Sequence, residues 1–158
     1  MIEVEDSLEV FPEPEPRPDG SYHIHFFAHG LRHFPPSSME RAKELRPGER
    51  LLLMRDFQNG HDPRAIMLRT AGQSPGDVYP VGFCPRYLLD DLLALLERNP
   101  GQATVEVKRT NLPPAPVQFR LLCSLTMHWP EGFRPFSGPD YQPISEYADE
   151  PISSMSIA

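Results

Sequence analysis

Between residues 21 and 130 the spacing of hydrophobic positions changes several times, and each change marks a predicted element. Tyr22-His23-Ile24-His25-Phe26-Phe27 alternates and then turns apolar, as a half-buried first strand does. Ser37 and Glu40 stand at capping-box spacing behind Pro35-Pro36, which predicts a short helix through Leu45 before Pro47-Gly48 reverses the chain. Apolar runs at residues 50–56, 64–70 and 79–84 read as strands. From Arg86 to Arg98 the period becomes helical: Leu88, Leu89, Leu92, Leu95 and Leu96 share one face, and Asn99-Pro100-Gly101 ends the run. Strands at 102–110 and 117–127 follow. Short strands, tight turns, one main helix and one short helix predict a mainly β domain shaped as a small, partly open barrel.

Composition narrows the domain. Twenty prolines in 158 residues cannot all lie inside a barrel, and many fall in residues 11–20 and 130–151. The expected organisation is therefore an acidic, proline-rich disordered tail over residues 1–20, a folded domain over 21–130, and a Pro/Ser-rich acidic disordered tail over 131–158. Charge follows the same division. The net −7 resolves into −6 for residues 1–20, +3 for 21–130 and −4 for 131–158, so the acidity belongs to the tails. Eleven of the thirteen basic groups in the central segment are arginines, the side chain suited to bidentate phosphate contact and to stacking on bases.

The densest candidate chemistry lies in two motifs. Asn59-Gly60-His61-Asp62-Pro63-Arg64-Ala65-Ile66 puts Asn, His and Asp on one turn between strands, and Val81-Gly82-Phe83-Cys84-Pro85-Arg86 brings an arginine to a helix start. Turn chemistry accounts for much of the first: Asn59 and Gly60 tolerate positive φ, Asp62 can cap its own backbone, and Pro63 fixes an extended geometry before the next strand.

Together with a leading segment expected as the entry strand, Phe26-Phe27-Ala28-His29-Gly30-Leu31-Arg32-His33-Phe34, these motifs resemble the HIRAN domain over about residues 24 to 127. That module occurs at the N-terminus of fork-remodelling, helicase-like ATPases and as stand-alone bacterial proteins. The resemblance implies an OB-like barrel that binds single-stranded DNA at its free 3′ end, in a repair, replication or defence setting. By motif position it implies nucleic-acid contacts at Arg32, His33 and Phe34 of the leading segment, at Asn59, His61 and Asp62 of the turn, at Arg86, and at Phe119 on the last strand. The chemistry fits these roles. Asp62 is a charged acceptor for a 3′-hydroxyl and would repel a 3′-phosphate, Arg32 and Arg86 can hold phosphates, and His33, His61 and Phe34 offer faces for bases. Departures are visible as well. His33 and His61 stand where tyrosine is usual, Gly60 replaces a common proline, and Arg64 replaces an Asn, so weaker and more pH-sensitive binding is expected.

Other classes are weighed on the same residues. His61-Asp62 resembles a catalytic dyad, but neighbouring residues point apart and no nucleophile accompanies them, so no enzyme activity is expected. No phosphate-cradling glycine loop occurs, so motor or nuclease chemistry would come from a helicase or nuclease partner. His23, His25, His29 and His33 with Cys84 or Asp62 lack the paired spacing of a zinc site, so neither metal nor cofactor is expected. Cys84 and Cys123 read as buried thiols of a reducing, cytoplasmic protein, and no apolar run approaches bilayer length. The alternatives are an adaptor that binds a peptide in the same groove and, third, a small metal-dependent nuclease.

Overall fold

The computed structural model describes residues 2–4, 10–11, 14–72, 74–98, 103–129 and 141–143. In chain order its elements are β1 (Ile2–Val4), β2 (Val10–Phe11), β3 (Ser21–Phe27), α1 (Pro36–Glu44), β4 (Arg50–Arg55), β5 (Ile66–Thr70), β6 (Pro80–Phe83), α2 (Leu89–Arg98), β7 (Ala103–Thr110), β8 (Leu121–His128) and β9 (Tyr141–Pro143). They divide into two units, residues 1–15 with 130–158, and residues 16–129. In the first, β2, β1 and β9 form an antiparallel sheet in that order, with Ile2 opposite both Phe11 and Pro143. The segments expected as disordered tails thus contribute three paired strands; most of their remaining residues lie outside the described ones.

The second unit is a six-stranded antiparallel sheet of order β3-β8-β7-β4-β5-β6. Alternation sets its register. Tyr22, Ile24 and Phe26 are buried and stand opposite Met127, Leu125 and Cys123 of β8, which in turn face Ala103, Val105 and Val107 of β7. A one-residue slip would carry every one of these side chains to the outer face. Ile66 and Leu68 of β5 and Leu88, Leu89, Leu92 and Leu95 of the helical segment complete the core, each worth about 1.5–3 kcal/mol for removal from water. Leu96, expected on this face, is half-buried.

The sheet closes on itself through a single seam. Beyond β3, His29 exchanges both backbone hydrogen bonds with Phe83 of β6, N–H to O at 2.9 and 2.7 Å. One bridge joins the two outer strands, which makes the barrel partly open, as expected, and OB-like. Gly82 permits the approach. Its φ is +151°, and a Cβ there would stand 2.8 Å from the Ala28 Cβ and 3.1 Å from the His29 carbonyl oxygen. The Val-Gly-Phe motif is therefore a seam, with glycine where two backbones meet.

Four local expectations need correction. Residues Leu31–His33 form a 3-10 turn instead of continuing the first strand. Helix α1 starts at Pro36 behind Pro35 with no side-chain cap, so the Ser37/Glu40 box does not form; proline at the first helical position supplies the start. The main helix opens with a separate 3-10 turn, Arg86–Leu88, and becomes α-helical at Leu89. The segment before the last long strand is a 3-10 turn, Val117–Phe119, so Phe119 precedes β8 instead of lying on it.

Candidate nucleic-acid interface

Two clusters of the predicted residues flank the corner that runs from Phe83 to Arg86. The first is a cleft. Gly30, at φ +76°, lets the chain turn directly after the seam, and buried Leu31 anchors the turn so that Arg32 and His33 project into solvent. Arg32 Nε donates to His33 Nε2 at 3.4 Å. Across from them stand Pro116, Val117 and Gln118, and with His29, Gly30 and Leu31 these residues enclose about 540 Å³. Among the described residues the lining holds an arginine and two histidines and no carboxylate. Phe34 is half-buried and stacks on Phe83 at 5.3 Å between centroids, 25° from parallel, so it buttresses the corner. Phe119 packs edge-on against Phe27 at 5.3 Å yet stays 48% exposed.

The second cluster is built on the loop joining β4 to β5. Asn59 Oδ1 accepts the backbone N–H groups of His61 and Asp62 at 2.9 and 3.0 Å, and the Asp62 carbonyl accepts from Ala65 at 3.0 Å. These side-chain bonds, not a positive φ at Gly60, reverse the chain. Asn59 is thereby committed to shaping the loop, whereas His61 is exposed.

Asp62 is the most constrained candidate. Its carboxylate is 17% exposed; Oδ1 accepts from the Arg64 backbone at 2.9 Å, and Oδ2 lies 3.5 Å from Arg64 Nη2 and 3.9 Å from Arg86 Nε. Partial burial pushes this carboxyl up. The hydrogen bonds from Arg64 and the charges of Arg64 and Arg86 outweigh burial and hold it below the usual carboxylate value. Asp62 therefore stays ionised, and Oδ2, held only by long contacts, keeps room to accept a further donor. Arg86 is 83% exposed at the start of the turn leading into α2. Arg64 ties the loop to that helix through Asp90, Nη1 to Oδ1 at 2.7 Å.

Sequence reasoning missed two neighbours of this cluster. Arg64 is a structural bridge, not a mere departure from the family pattern. Phe57 is 73% exposed, with the Arg55 guanidinium 4.5 Å above its ring. An aromatic inside the otherwise polar run Asp56 to Asp62 was the available signal.

The histidine and cysteine candidates separate. His23 is occupied on both nitrogens, by Ser21 Oγ and Thr126 Oγ1, each at 3.2 Å. Cys84 and Cys123 are unpaired and buried; burial pushes both thiols up, Cys123 to about 12. Among the described residues no three His, Cys, Asp or Glu side chains converge on a metal position. No helix of those residues is long and apolar enough to cross a membrane.

No curated protein sequence matches the chain. Among solved structures it is similar to the HIRAN domain of human HLTF, at 20% identity and a TM-score of 0.45 over 70% of this chain and 81% of that one. It is also similar to a protein from Lactobacillus plantarum, at 20% identity and a TM-score of 0.48 over 69% of this chain and 100% of that one. The sequence profile of the HIRAN domain matches residues 21–128, a span that holds the leading segment, the Asn59 to Ile66 turn and the Val81 to Arg86 seam. The chain belongs to the HIRAN domain family of nucleic-acid-binding modules.

Proposed function

We propose that the domain binds single-stranded DNA and reads its 3′-hydroxyl end. The observation that carries this reading is the pairing of an ionised, mostly buried carboxylate with an exposed arginine: Asp62 Oδ2 lies 3.9 Å from Arg86 Nε, and the Arg86 side chain is 83% exposed. A terminal nucleotide presents this same pair of needs, a hydroxyl that donates and a phosphate that accepts. A 3′-phosphate would place about two negative charges against Asp62. The Arg32 and His33 rim receives the strand away from its end, and Phe119, Phe57 and His61 are the exposed rings available for bases.

The module binds and does not catalyse in this reading; a helicase or nuclease partner acts on the end it presents. Its two unpaired thiols fit a reducing, cytoplasmic compartment.

The test is fluorescence anisotropy at low salt with strands of about ten nucleotides, a length within the usual site size of such folds, ending in a 3′-hydroxyl or a 3′-phosphate. Asp62→Asn keeps one carbonyl oxygen for the Arg64 backbone while removing the charge. The wild type should prefer the hydroxyl end, and the variant should lose that preference by about tenfold or more, the worth of a hydrogen bond to a charged group. Equal affinity of the wild type for both ends would refute end recognition. A steep fall of affinity with salt is expected for DNA, whereas a peptide-binding groove would respond weakly.

A further inference from the structure

A second opening lies in the sheet itself and shares no lining residue with the cleft beside Arg32. β4 runs from Arg50 to Arg55 against β5, but β7 pairs with it only where Glu106 stands opposite Arg50 and Val105 opposite Leu51. Past Leu51 the two strands part. Leu52, Leu53 and Met54 line one side of the split, Ala103 and Thr104 the other, and Leu96 of α2 with Arg69 of β5 helps enclose about 260 Å³. Leu96 is half-buried and Met54 39% exposed because they border this opening.

The lining is aliphatic, and its charge has one sign. Among the described residues its charged groups are Arg50 and Arg69, with no carboxylate. Neither arginine takes part in the ion pairs among those residues, and Glu106, in register with Arg50, makes none with it. Arg69 stands opposite Leu52. Its Nε is shielded from solvent without a hydrogen-bond partner, and its Nη1 reaches the Thr70 carbonyl only at 3.5 Å. A shielded guanidinium held by one long contact is short of an acceptor.

We infer that this split is a docking site for an extended segment of a partner protein that carries an aliphatic side chain beside a carboxylate. Its volume lies below the ~300–1,000 Å³ of pockets that enclose a whole small-molecule ligand, so it suits a side chain of a larger partner. No aromatic ring lines it, so it offers a base nothing to stack on. The aliphatic walls receive the apolar side chain, and the fork of Arg69 matches a carboxylate in geometry and supplies the acceptor that Nε lacks. Arg50, exposed at the rim, steers the acidic segment in. The inference does not rest on end recognition: the residues differ, so DNA and a protein partner can be held together.

The test is an NMR titration of the ¹⁵N-labelled full chain with the blocked peptide acetyl-Glu-Asp-Leu-Ile-Asp-Glu-amide. The amides of Leu52, Leu53, Met54, Leu96 and Thr104 should shift saturably, while those of Arg32, His61 and Asp62 stay in place. Serines in place of Leu-Ile, or lysines in place of the acids, should abolish the shifts. Arg69→Gln should weaken binding about tenfold, the worth of a hydrogen bond to a charged group, and Arg50→Gln about two- to threefold, as an exposed charge does. Thr104→Glu, at a half-buried strand position, puts a carboxylate into the lining and should abolish binding, so the inference is tested even where Arg69→Gln does not fold.

Absence of shifts at the split, equal shifts with the serine or lysine peptide, or wild-type affinity in Thr104→Glu would each overturn the site. Shifts at these amides caused instead by a strand of about ten nucleotides would assign the split to nucleic acid, and shifts caused by phosphatidylglycerol vesicles would assign it to lipid. Either result, with the peptide silent, overturns the protein-segment reading.

Discussion

Replacing Gly82 by alanine should be among the most damaging small changes in this domain. Two costs add. A residue held at a φ that side chains rarely adopt costs about 1–3 kcal/mol, and the new methyl would stand 2.8 Å from the Ala28 Cβ and 3.1 Å from the His29 oxygen. Neither neighbour is the free end of a flexible side chain. The chain can escape only by parting the seam, which forfeits the two His29–Phe83 hydrogen bonds at about 0.5–1.5 kcal/mol each, along with part of the Phe34–Phe83 stack. Both routes give a loss of about 2–4 kcal/mol, a large share of the ~5–15 kcal/mol typical of a domain.

For a folded unit of this size that loss corresponds to a fall in melting temperature of about 10–15 °C. Circular dichroism melts and urea titrations measure it directly. Gly60→Ala is the control, since Gly60 has no positive φ and nothing stands within 4 Å of its added Cβ. That variant should be neutral or slightly stabilising, by about 0.4–1 kcal/mol. Should Gly82→Ala also fall within about 0.5 kcal/mol of the wild type, the size expected of an unremarkable surface change, the seam described here is wrong.

The other expectations are quicker to state. Phe57→Ala should leave stability unchanged, because the ring is 73% exposed, yet weaken single-strand binding by about 1–3 kcal/mol if a base stacks there; undiminished affinity in anisotropy would remove Phe57 from the interface. His23 is held below the ordinary imidazole value of 6.5, chiefly by burial and then by the Arg17 charge, with Asp19 opposing. Its neutral form is therefore the folded one: stability is complete above about pH 6.5 and declines as acidification proceeds toward the lower folded-state value. Melts at pH 7 and pH 5 should show this decline, and His23→Gln should reduce it; identical pH dependence in variant and wild type would exclude His23 as a source.

Local chemistry was readable wherever it depended on neighbours in sequence. The alternation of Tyr22, Ile24 and Phe26, the leucine face of the main helix and the turn residues around Asn59 each announced an element, and the structure contains all of them. The errors fall where two signals compete over one or two residues. Ser37 and Glu40 matched a capping box, but Pro36 already fixed the helix start one residue earlier. Val117 to Phe119 looked like strand, but Pro116 and the pull of Asn111 on Phe119 and Arg120 hold it as a turn.

What no local pattern could show is pairing between distant segments. Gly82 reads alone as a weak point in a strand, and only the approach of Ala28 and His29 makes it the closure of a barrel. Asp62 reads alone as a turn cap, and that reading is half right, because Oδ1 does cap Arg64 while Oδ2 faces Arg86 from a separate element. Arg120 reads as one more arginine in an arginine-rich chain. Its burial without a counter-ion appears only after the loop from Asn111 folds over it. In each case the residue type was visible in the sequence, while its chemical role depends on a partner about 24 to 54 positions away or on a partner's absence. Substitutions that preserve residue type but shift the seam should therefore disturb the interface as much as changes to the contact residues themselves.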